Sequence, residues 1–283
     1  MQLRRFDNIK EFWHHAQDYL LQHQAEHNLL LGISHALLHY PDHYPNPPYL
    51  AIAEINGEIL AAAIRTSPYK LVLSKARDLN ALWAIAQDLH SLPEPLPGVS
   101  GLVAEVSAFL QAWQTLTGQS YQQVMKMKIH SLTQVKPVVT ASGYLRPATQ
   151  GDRPLLLEWF TRFATEIGEV VGQDAGQAVE NGLKRQSIYL WSDGIPVSWA
   201  SGSQSLPAAG RIGPVYTPPQ YRRKGYATAC VAALSQKLLD RGCQSCFLFT
   251  DLANPTSNHI YQEIGYHPIC DWHDYSFILK EQP

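Results

Sequence analysis

The sequence has few cysteines, little net charge and no long apolar run. Its 283 residues include four cysteines, all in the last quarter, which is too few and too clustered for the disulfide framework of a secreted domain. Lys and Arg number 22 against 24 Asp and Glu, so neither a basic nucleic-acid-binding surface nor a nucleic-acid partner is expected. The first residues are not an apolar leader, and no run reaches membrane-spanning length. These patterns predict a soluble, cytoplasmic protein with reduced thiols and no membrane partner.

The two halves of the chain repeat one pattern. Apolar residues make up 45 % of the sequence and charged residues 16 %, which is enough for packed cores. Each half starts with a Leu-Arg step and a helix, and then has two apolar strands joined by a tight turn. The turns are Asn56-Gly57 and Asp193-Gly194, residue pairs that tolerate the positive φ angles of hairpins. The repeat predicts two copies of one α+β domain, residues 1–136 and 144–283, joined by a linker at 137–143.

The end of each half is predicted to be a helix, a strand, a helix and a closing strand. In the second half the predicted elements are the helix Ala227–Arg241, the strand Ser245–Thr250, the helix Thr256–Ile264 and the strand Asp274–Leu279.

A basic loop that contains glycine precedes the first of these helices. An apolar strand end, Val215 to Thr217, leads through a proline turn to Arg222, Arg223, Lys224 and Gly225. The backbone N–H groups at the start of a helix form an anion site, and a glycine lets the backbone approach a phosphate closely. Taken alone, the loop is explained equally well as an ordinary basic helix start.

This loop resembles motif A of the GNAT N-acetyltransferase superfamily, Arg/Gln-x-x-Gly-x-Gly/Ala, which binds the pyrophosphate of CoA. Here the motif reads Arg222-x-x-Gly225-x-Ala227. The resemblance implies acetyl-CoA as the cosubstrate, with its pantetheine arm against the preceding strand. It also implies a fold of two GNAT-like domains, each with a mixed, mostly antiparallel sheet flanked by helices.

A second signature of the family lies downstream, where an Asn precedes a short helix with an aliphatic-Tyr pair and a Gly-aromatic end. Asn254, Ile260-Tyr261 and Gly265-Tyr266 are similar to it in order and spacing. The segment from Leu145 to Asp152 also resembles the family's first strand and helix, so the resemblance covers the whole second half. The predicted cosubstrate-binding residues are Val215, Tyr216, Thr217, Arg222, Arg223, Lys224, Gly225, Tyr226, Ala227, Thr228 and Asn254. For Asn254, which precedes a proline, a helix N-cap is an equally good explanation.

Acyl transfer to an amine requires an oxyanion donor, a proton for the leaving thiolate and a base for the amine. The resemblance implies that a backbone N–H near Val215 faces the thioester and that Tyr261 is the general acid. A phenol with a pKa near ~10 is protonated at neutral pH and can donate to a thiolate; the alternative is that Tyr261 packs in the core with its hydroxyl merely hydrogen-bonded. For the base, Glu169 is the candidate, with Glu166 beside it; the alternative for both is a solvated helix position.

Several other patterns carry no predicted chemistry. The pairs His23/His27 and His35/His39 have the spacing of two metal ligands on a helix, but no accompanying carboxylate motif, so no metal site is predicted. Cys243 and Cys246 lie between a helix stop and a buried strand and are interpreted as structural. The first half lacks motif A, which predicts a degenerate copy and one CoA site per chain.

The sequence therefore predicts an acetyl-CoA-dependent N-acetyltransferase that acts on a primary amine of a small molecule or peptide. The alternative is a non-catalytic module that binds or senses acetyl-CoA. No pattern in the sequence identifies the acceptor amine or the oligomeric state.

Overall fold

The computed structural model describes residues 1–40, 44, 46–139, 141–167, 174–204 and 208–278. It divides into two compact units. The first comprises Met1–His130, Thr250–Asn254 and the C-terminal segment from Pro268, and the second comprises Ser131–Phe249 and Pro255–His267. The chain therefore passes between the units more than once.

The first unit has one mixed sheet with two pairs of helices. Its elements are β1 (Gln2–Arg5), α1 (Ile9–Leu21), α2 (Asn28–His39), β2 (Tyr49–Ile55), β3 (Glu58–Arg65), β4 (Leu71–Leu73), α3 (Ala81–His90), β5 (Gly98–Leu102), α4 (Val103–Thr117) and β6 (Tyr121–Leu132). Strands β1 to β4 pair antiparallel in sequence order, and β4 pairs parallel with β5. Most of its buried apolar side chains come from β3 to β5, α3 and α4.

The second half of the chain repeats this order of elements. They are β7 (Tyr144–Pro147), α5 (Arg153–Glu166), α6 (Asp174–Lys184), β8 (Ile188–Asp193), β9 (Ile195–Ser203), β10 (Ala209–Tyr216), α7 (Tyr226–Asp240), β11 (Ser245–Asp251), α8 (Pro255–Ile264) and β12 (His267–Phe277). From Pro268 onward, β12 belongs to the first unit. Strands β7 to β10 are antiparallel neighbours, and β10 pairs parallel with β11. Two α+β copies, each with a mixed and mostly antiparallel sheet, are confirmed.

The last strand has a partner that the repeat did not predict. It starts at His267 instead of Asp274, and it pairs antiparallel with β5 of the first unit, from Trp272 opposite Leu102 to Ser276 opposite Gly98. Trp272 is fully buried there, and its Nε1 donates to Ser100 Oγ at 2.6 Å. A side chain at position 98 would clash with the carbonyl of Tyr275, so the glycine permits this close pairing.

Local sequence explains how the helices of the second unit are placed. Thr149 and Asp152 form a reciprocal capping box, Asp152 also pairs with Arg146 at 2.7 Å, and Pro154 lies in the first turn of α5. Helix α7 buries one face, including Leu234 and Leu238, against β9 and β10. Burying a leucine side chain stabilises a fold by about 1.5–3 kcal/mol. Across the described ranges, no helix is long and apolar enough to cross a bilayer.

Candidate functional site

Strand β10 carries an irregularity just before its end. Its pairing with β9 shifts register between Ile212 and Val215, so the strand has a bulge there. Its parallel pairing with β11 runs only from Ala209 opposite Ser245 to Arg211 opposite Phe247, although β10 continues to Tyr216. Backbone groups between residues 212 and 216 on that side are therefore not used by the ladder, and an extended ligand could pair with them.

The three predicted strand-end residues have different environments. Val215 is half-buried against the core beside α7, whereas the Tyr216 ring is buried on the α5 side, edge-on to Trp159 and Phe163 at 6.3 and 6.4 Å. Burial, together with the nearby Glu166 carboxylate, raises the pKa of the Tyr216 hydroxyl. Thr217 bonds through Oγ1 to Ser198 Oγ at 2.8 Å. Tyr216 can therefore offer a ligand its backbone but not its ring on the α7 side.

The loop after β10 ends in an open helix N-terminus. A short 3-10 turn at Pro219–Tyr221 is followed by two residues with positive φ, Arg223 at 60° and Gly225 at 79°. Gly225 is the N-cap of α7 and supplies no side chain, and the first helical bond runs from Ala229 N to Gly225 O at 2.9 Å. The N–H groups of residues 226 to 228 precede that bond, so Tyr226, Ala227 and Thr228 present three donors to an anion.

Glycine is required at position 225 by conformation and not by space. A Cβ built there would meet only Ala141 Cβ, at an ordinary 3.7 Å. The left-handed φ is what disfavours another residue. Ala141 belongs to the predicted linker, so this segment lies directly beside the loop.

The three basic residues of the loop do not share one role. Arg222 is held by protein atoms: its Nε donates to Thr217 O at 2.8 Å, and its Nη2 lies 2.7 and 2.8 Å from the two carboxylate oxygens of Glu166. Arg223 and Lys224 are exposed and form no ion pair with any described residue. The Lys224 ammonium lies 6.0 Å from the centre of the Tyr221 ring. The two exposed cations are thus the ones available to a phosphate.

A polar cluster fixes the first residue of α7 from the other side. The Tyr226 hydroxyl donates to Asp193 Oδ2 at 2.7 Å, and Ser142 Oγ donates to the same oxygen at 2.7 Å. These hydrogen bonds, with that of Tyr226 the larger contribution, lower the pKa of the Asp193 carboxyl. Trp191 Nε1 donates to Ser142 O at 2.9 Å. Hydrogen bonds therefore connect the start of α7 with the hairpin turn at Asp193 and with the predicted linker.

Tyr261 lies on α8 in the core of the second unit. The residue is 9 % exposed, and its ring centre is 6.0 Å from that of Tyr266. Burial, with a smaller contribution from the Cys230 thiol, raises the pKa of the Tyr261 hydroxyl to about 12. This hydroxyl has no hydrogen-bond partner among the described residues. The group is thus a protonated donor over the whole physiological pH range, as a general acid must be.

The structure gives fewer contacts for the remaining predicted site residues. Asn254 is exposed and directly precedes α8, whose first residue is Pro255, so both a capping role and a ligand contact stay open. Glu169 lies outside the described residues. Glu166 is the last residue of α5, and it contacts the loop through Arg222. Among the described residues, no cluster of three or more His, Cys, Asp or Glu side chains could hold a metal ion.

Two features of the site were missed from the sequence. The bulge in β10 has a signal in Gly213-Pro214, because glycine and proline inside a strand are typical of bulges. The contact between Glu166 and Arg222 joins residues that are 56 positions apart, and no local sequence pattern predicts it.

In the first unit, backbone N–H groups of the corresponding loop donate hydrogen bonds to side chains of the protein. This loop runs between β4 and α3, as the loop at residues 217–225 runs between β10 and α7. Its N–H donors are already used: Lys75 N donates to buried His27 Nε2 at 3.0 Å, Ala76 N to Glu105 Oε1 at 2.9 Å, and Asn80 N to Asp78 Oδ1 at 2.9 Å. Two carboxylates therefore lie where a phosphate would bind, which disfavours an anion there.

Residues 154–266 match the model of the acetyltransferase (GNAT) family. No curated protein is similar enough in sequence to match the chain.

Solved structures match the fold along the whole chain. An acetyltransferase of the GNAT family from Colwellia psychrerythraea is 13 % identical, with 99 % of this chain and 100 % of that one covered and a TM-score of 0.55. A Drosophila protein is 10 % identical, with 98 % of both chains covered and a TM-score of 0.72. A tandem GNAT protein of the clavulanic acid biosynthesis pathway is 12 % identical, again with 98 % of both chains covered, at a TM-score of 0.60. At these identities the likeness shows the fold.

Proposed function

We propose that this chain, whose residues 154–266 match the acetyltransferase (GNAT) family model and whose fold is similar to that of a tandem GNAT protein, transfers an acetyl group from acetyl-CoA to a primary amine. The observation that carries this proposal is the juxtaposition of three features in one unit. They are the open N-terminus of α7 at Gly225, the strand end of β10 that is freed from β11, and the buried phenol of Tyr261.

In this proposal the pyrophosphate of acetyl-CoA lies at the start of α7. The N–H groups of Tyr226, Ala227 and Thr228 donate to it, and the positive end of the helix dipole favours its charge. Arg223 and Lys224 add two exposed cations beside these donors. The pantetheine arm then extends along the unpaired edge of β10 and makes backbone hydrogen bonds near Val215, as an added strand would.

The chemical step is direct transfer. The neutral amine attacks the thioester carbonyl, a backbone N–H near Val215 stabilises the oxyanion, and the C–S bond then breaks. Tyr261 donates its proton to the leaving sulfur, and the proton of the attacking nitrogen passes to a base or to water. Holding both reactants in line supplies much of such catalysis, since positioning is worth on the order of 7–11 kcal/mol.

In this proposal Glu169, which follows α5 in the sequence, is the candidate base. The acceptor is a primary amine of a small molecule or peptide. We also propose that the reaction takes place in the cytoplasm; all four cysteines are free thiols, which fits a reducing compartment.

A panel of small-molecule and peptide amines, with acetyl-CoA as the donor and free thiol release as the signal, tests the proposal. We expect one class of amine to release CoA above the background of hydrolysis, and Gly225→Asp to abolish that release. If CoA binds to the protein but no amine on a broad panel accelerates its release, the non-catalytic binding module is the better assignment.

A further inference from the structure

The side chain of Arg222 bridges two segments of the second unit. One end of its guanidinium bonds the carbonyl of Thr217, the first residue after β10, and the other end contacts both carboxylate oxygens of Glu166. The same guanidinium lies 5.8 Å from the centre of the Tyr216 ring. Arg222 therefore closes the loop from residue 217 to residue 222 and attaches it to the last residue of α5.

The position of this bridge matters because of the residues that follow it. Arg223 and Gly225 both have left-handed backbone conformations, which a non-glycine residue adopts only when its surroundings hold it. These two residues set the direction in which α7 starts, and with it the direction of the N–H groups of residues 226 to 228. If the loop is held in place at Arg222, the N–H groups of residues 226 to 228 are already oriented before a ligand binds.

We propose that Glu166 is a positioning residue for the donor substrate. By holding Arg222 against Thr217, it keeps the phosphate loop in the shape that binds the pyrophosphate of acetyl-CoA. Arg222 thus acts on the phosphate through the loop conformation, while Arg223 and Lys224 supply charge. This inference rests on the proposed function only in taking CoA as the ligand of the loop.

Simple electrostatics predicts the opposite sign for a substitution of Glu166. A carboxylate near a phosphate site repels the ligand, so its neutralisation alone would tighten CoA binding. Loss of a positioning contact would loosen the loop and weaken binding, because the ordering of the loop would then take place on binding. The direction of the change in affinity therefore separates the two roles.

The experiment measures the dissociation constant of CoA by calorimetry for wild type and Glu166→Gln. We expect the constant to rise roughly five- to tenfold, within the range of coupling measured between contacting residues. Glu158→Gln is the matched control: this glutamate is on the same helix, and it pairs with Arg162 at 2.8 Å, with about half of each side chain exposed. We expect no change for Glu158→Gln.

Two further arms make the readout specific. Arg222→Gln should weaken CoA binding about as much as Glu166→Gln, and the double variant should be no weaker than Arg222→Gln alone, because one contact is lost in each case. Pantetheine lacks the pyrophosphate, so the thermal shift that it produces at millimolar concentration should be equal in wild type and Glu166→Gln. A merely structural role of Glu166 would reduce both ligands' effects together.

The result is decisive in each direction. Unchanged or tighter CoA binding by Glu166→Gln overturns the inference, as does an equal loss for CoA and pantetheine. If CoA affinity is unchanged but the KM of an acceptor amine rises, Glu166 belongs to the acceptor site instead. If wild type itself fails to bind CoA, the proposed function fails together with the inference. Absence of turnover in a protein that binds CoA refutes the proposed reaction alone.

Discussion

Replacement of Tyr261 by Phe separates catalysis from packing at one buried position. The substitution keeps the ring, which is 9 % exposed and packs edge-on near Tyr266, and it removes only the hydroxyl. Because that hydroxyl has no hydrogen-bond partner among the described residues, no hydrogen bond within the described part of the protein is lost. We therefore expect the free energy of unfolding to change by less than about 1 kcal/mol, the typical net value of one hydrogen bond.

The expected effect on the rate is much larger. General acid catalysis contributes about 10²–10⁴-fold, which corresponds to about 3–5 kcal/mol of the activation barrier. An interaction that forms only as the sulfur gains charge lowers kcat and kcat/KM together and leaves acetyl-CoA affinity unchanged. The assay is steady-state turnover with the best amine of the panel, combined with calorimetric binding of acetyl-CoA and denaturant unfolding of both proteins.

The pH profile adds an independent check. Burial raises the pKa of Tyr261 to about 12, above the usual value of 10. For such a group the stabilisation from burying the protonated form is fully present below about pH 10 and is lost as the pH rises toward 12. The acid should likewise stay protonated, so kcat/KM for an already neutral amine should show no loss from this group up to about pH 11.

One outcome would refute the assignment of Tyr261. If Tyr261→Phe turns over at the wild-type rate, and chemistry is shown to be rate-limiting by a pre-steady-state burst experiment, the residue is a core residue. The control is needed because slow product release hides a loss in the chemical step. The thiolate would then take its proton from water or from another side chain.

Three further outcomes follow from the structure. CoA should raise the melting temperature of the wild type, because at a hundred times its dissociation constant a ligand stabilises the folded state by about 2.7 kcal/mol. Gly225→Asp should abolish this shift, because it adds a negative charge and a strained φ where the phosphate is proposed to bind. Equal shifts in the two proteins would contradict the assignment of the loop. Calorimetry should give one CoA per chain, since Asp78 and its neighbours fill the matching loop of the first unit, and two equivalent sites would show that this loop binds as well. Acid should destabilise the protein before most carboxylates titrate, because burial lowers the pKa of His27 to about 4. The neutral His27 side chain contributes roughly 2–4 kcal/mol to the free energy of unfolding. This contribution is complete above about pH 6.5 and is lost as the pH falls toward 4. In denaturant unfolding, a free energy that is flat between pH 6.5 and 4 would contradict the last expectation.

The local features of the fold were predictable because neighbouring residues determine them. The turns at Asn56-Gly57 and Gly194 have the positive φ angles that the residue pairs predict, at 52°, 82° and 70°. Helix α7 starts one residue before its predicted position, and α8 ends where predicted, before Gly265. Each of these boundaries depends on backbone freedom or on a capping residue within one turn.

The missed features depend on residues that are distant in sequence. The sequence pattern predicts the strand β12, but it does not predict that β12 pairs with β5, because the choice of neighbouring strand depends on the arrangement of all strands in the sheet. All three residues of the run Arg222-Arg223-Lys224 are basic, but Arg222 pairs with Glu166, whereas Arg223 and Lys224 form no ion pair with any described residue. Charge counting predicted three phosphate ligands, whereas the contacts leave two side chains available.

The position of the last strand also affects how this protein is made. In the first unit β12 pairs with β5, and the ribosome adds β12 only after strands β6 to β11. Domains generally fold in order of synthesis, with the N-terminal one first. Here β5 stays an open edge, able to pair with other chains, until translation has passed residue 277. A nascent chain released near residue 267 would leave that edge exposed, and we expect it to aggregate through its N-terminal half.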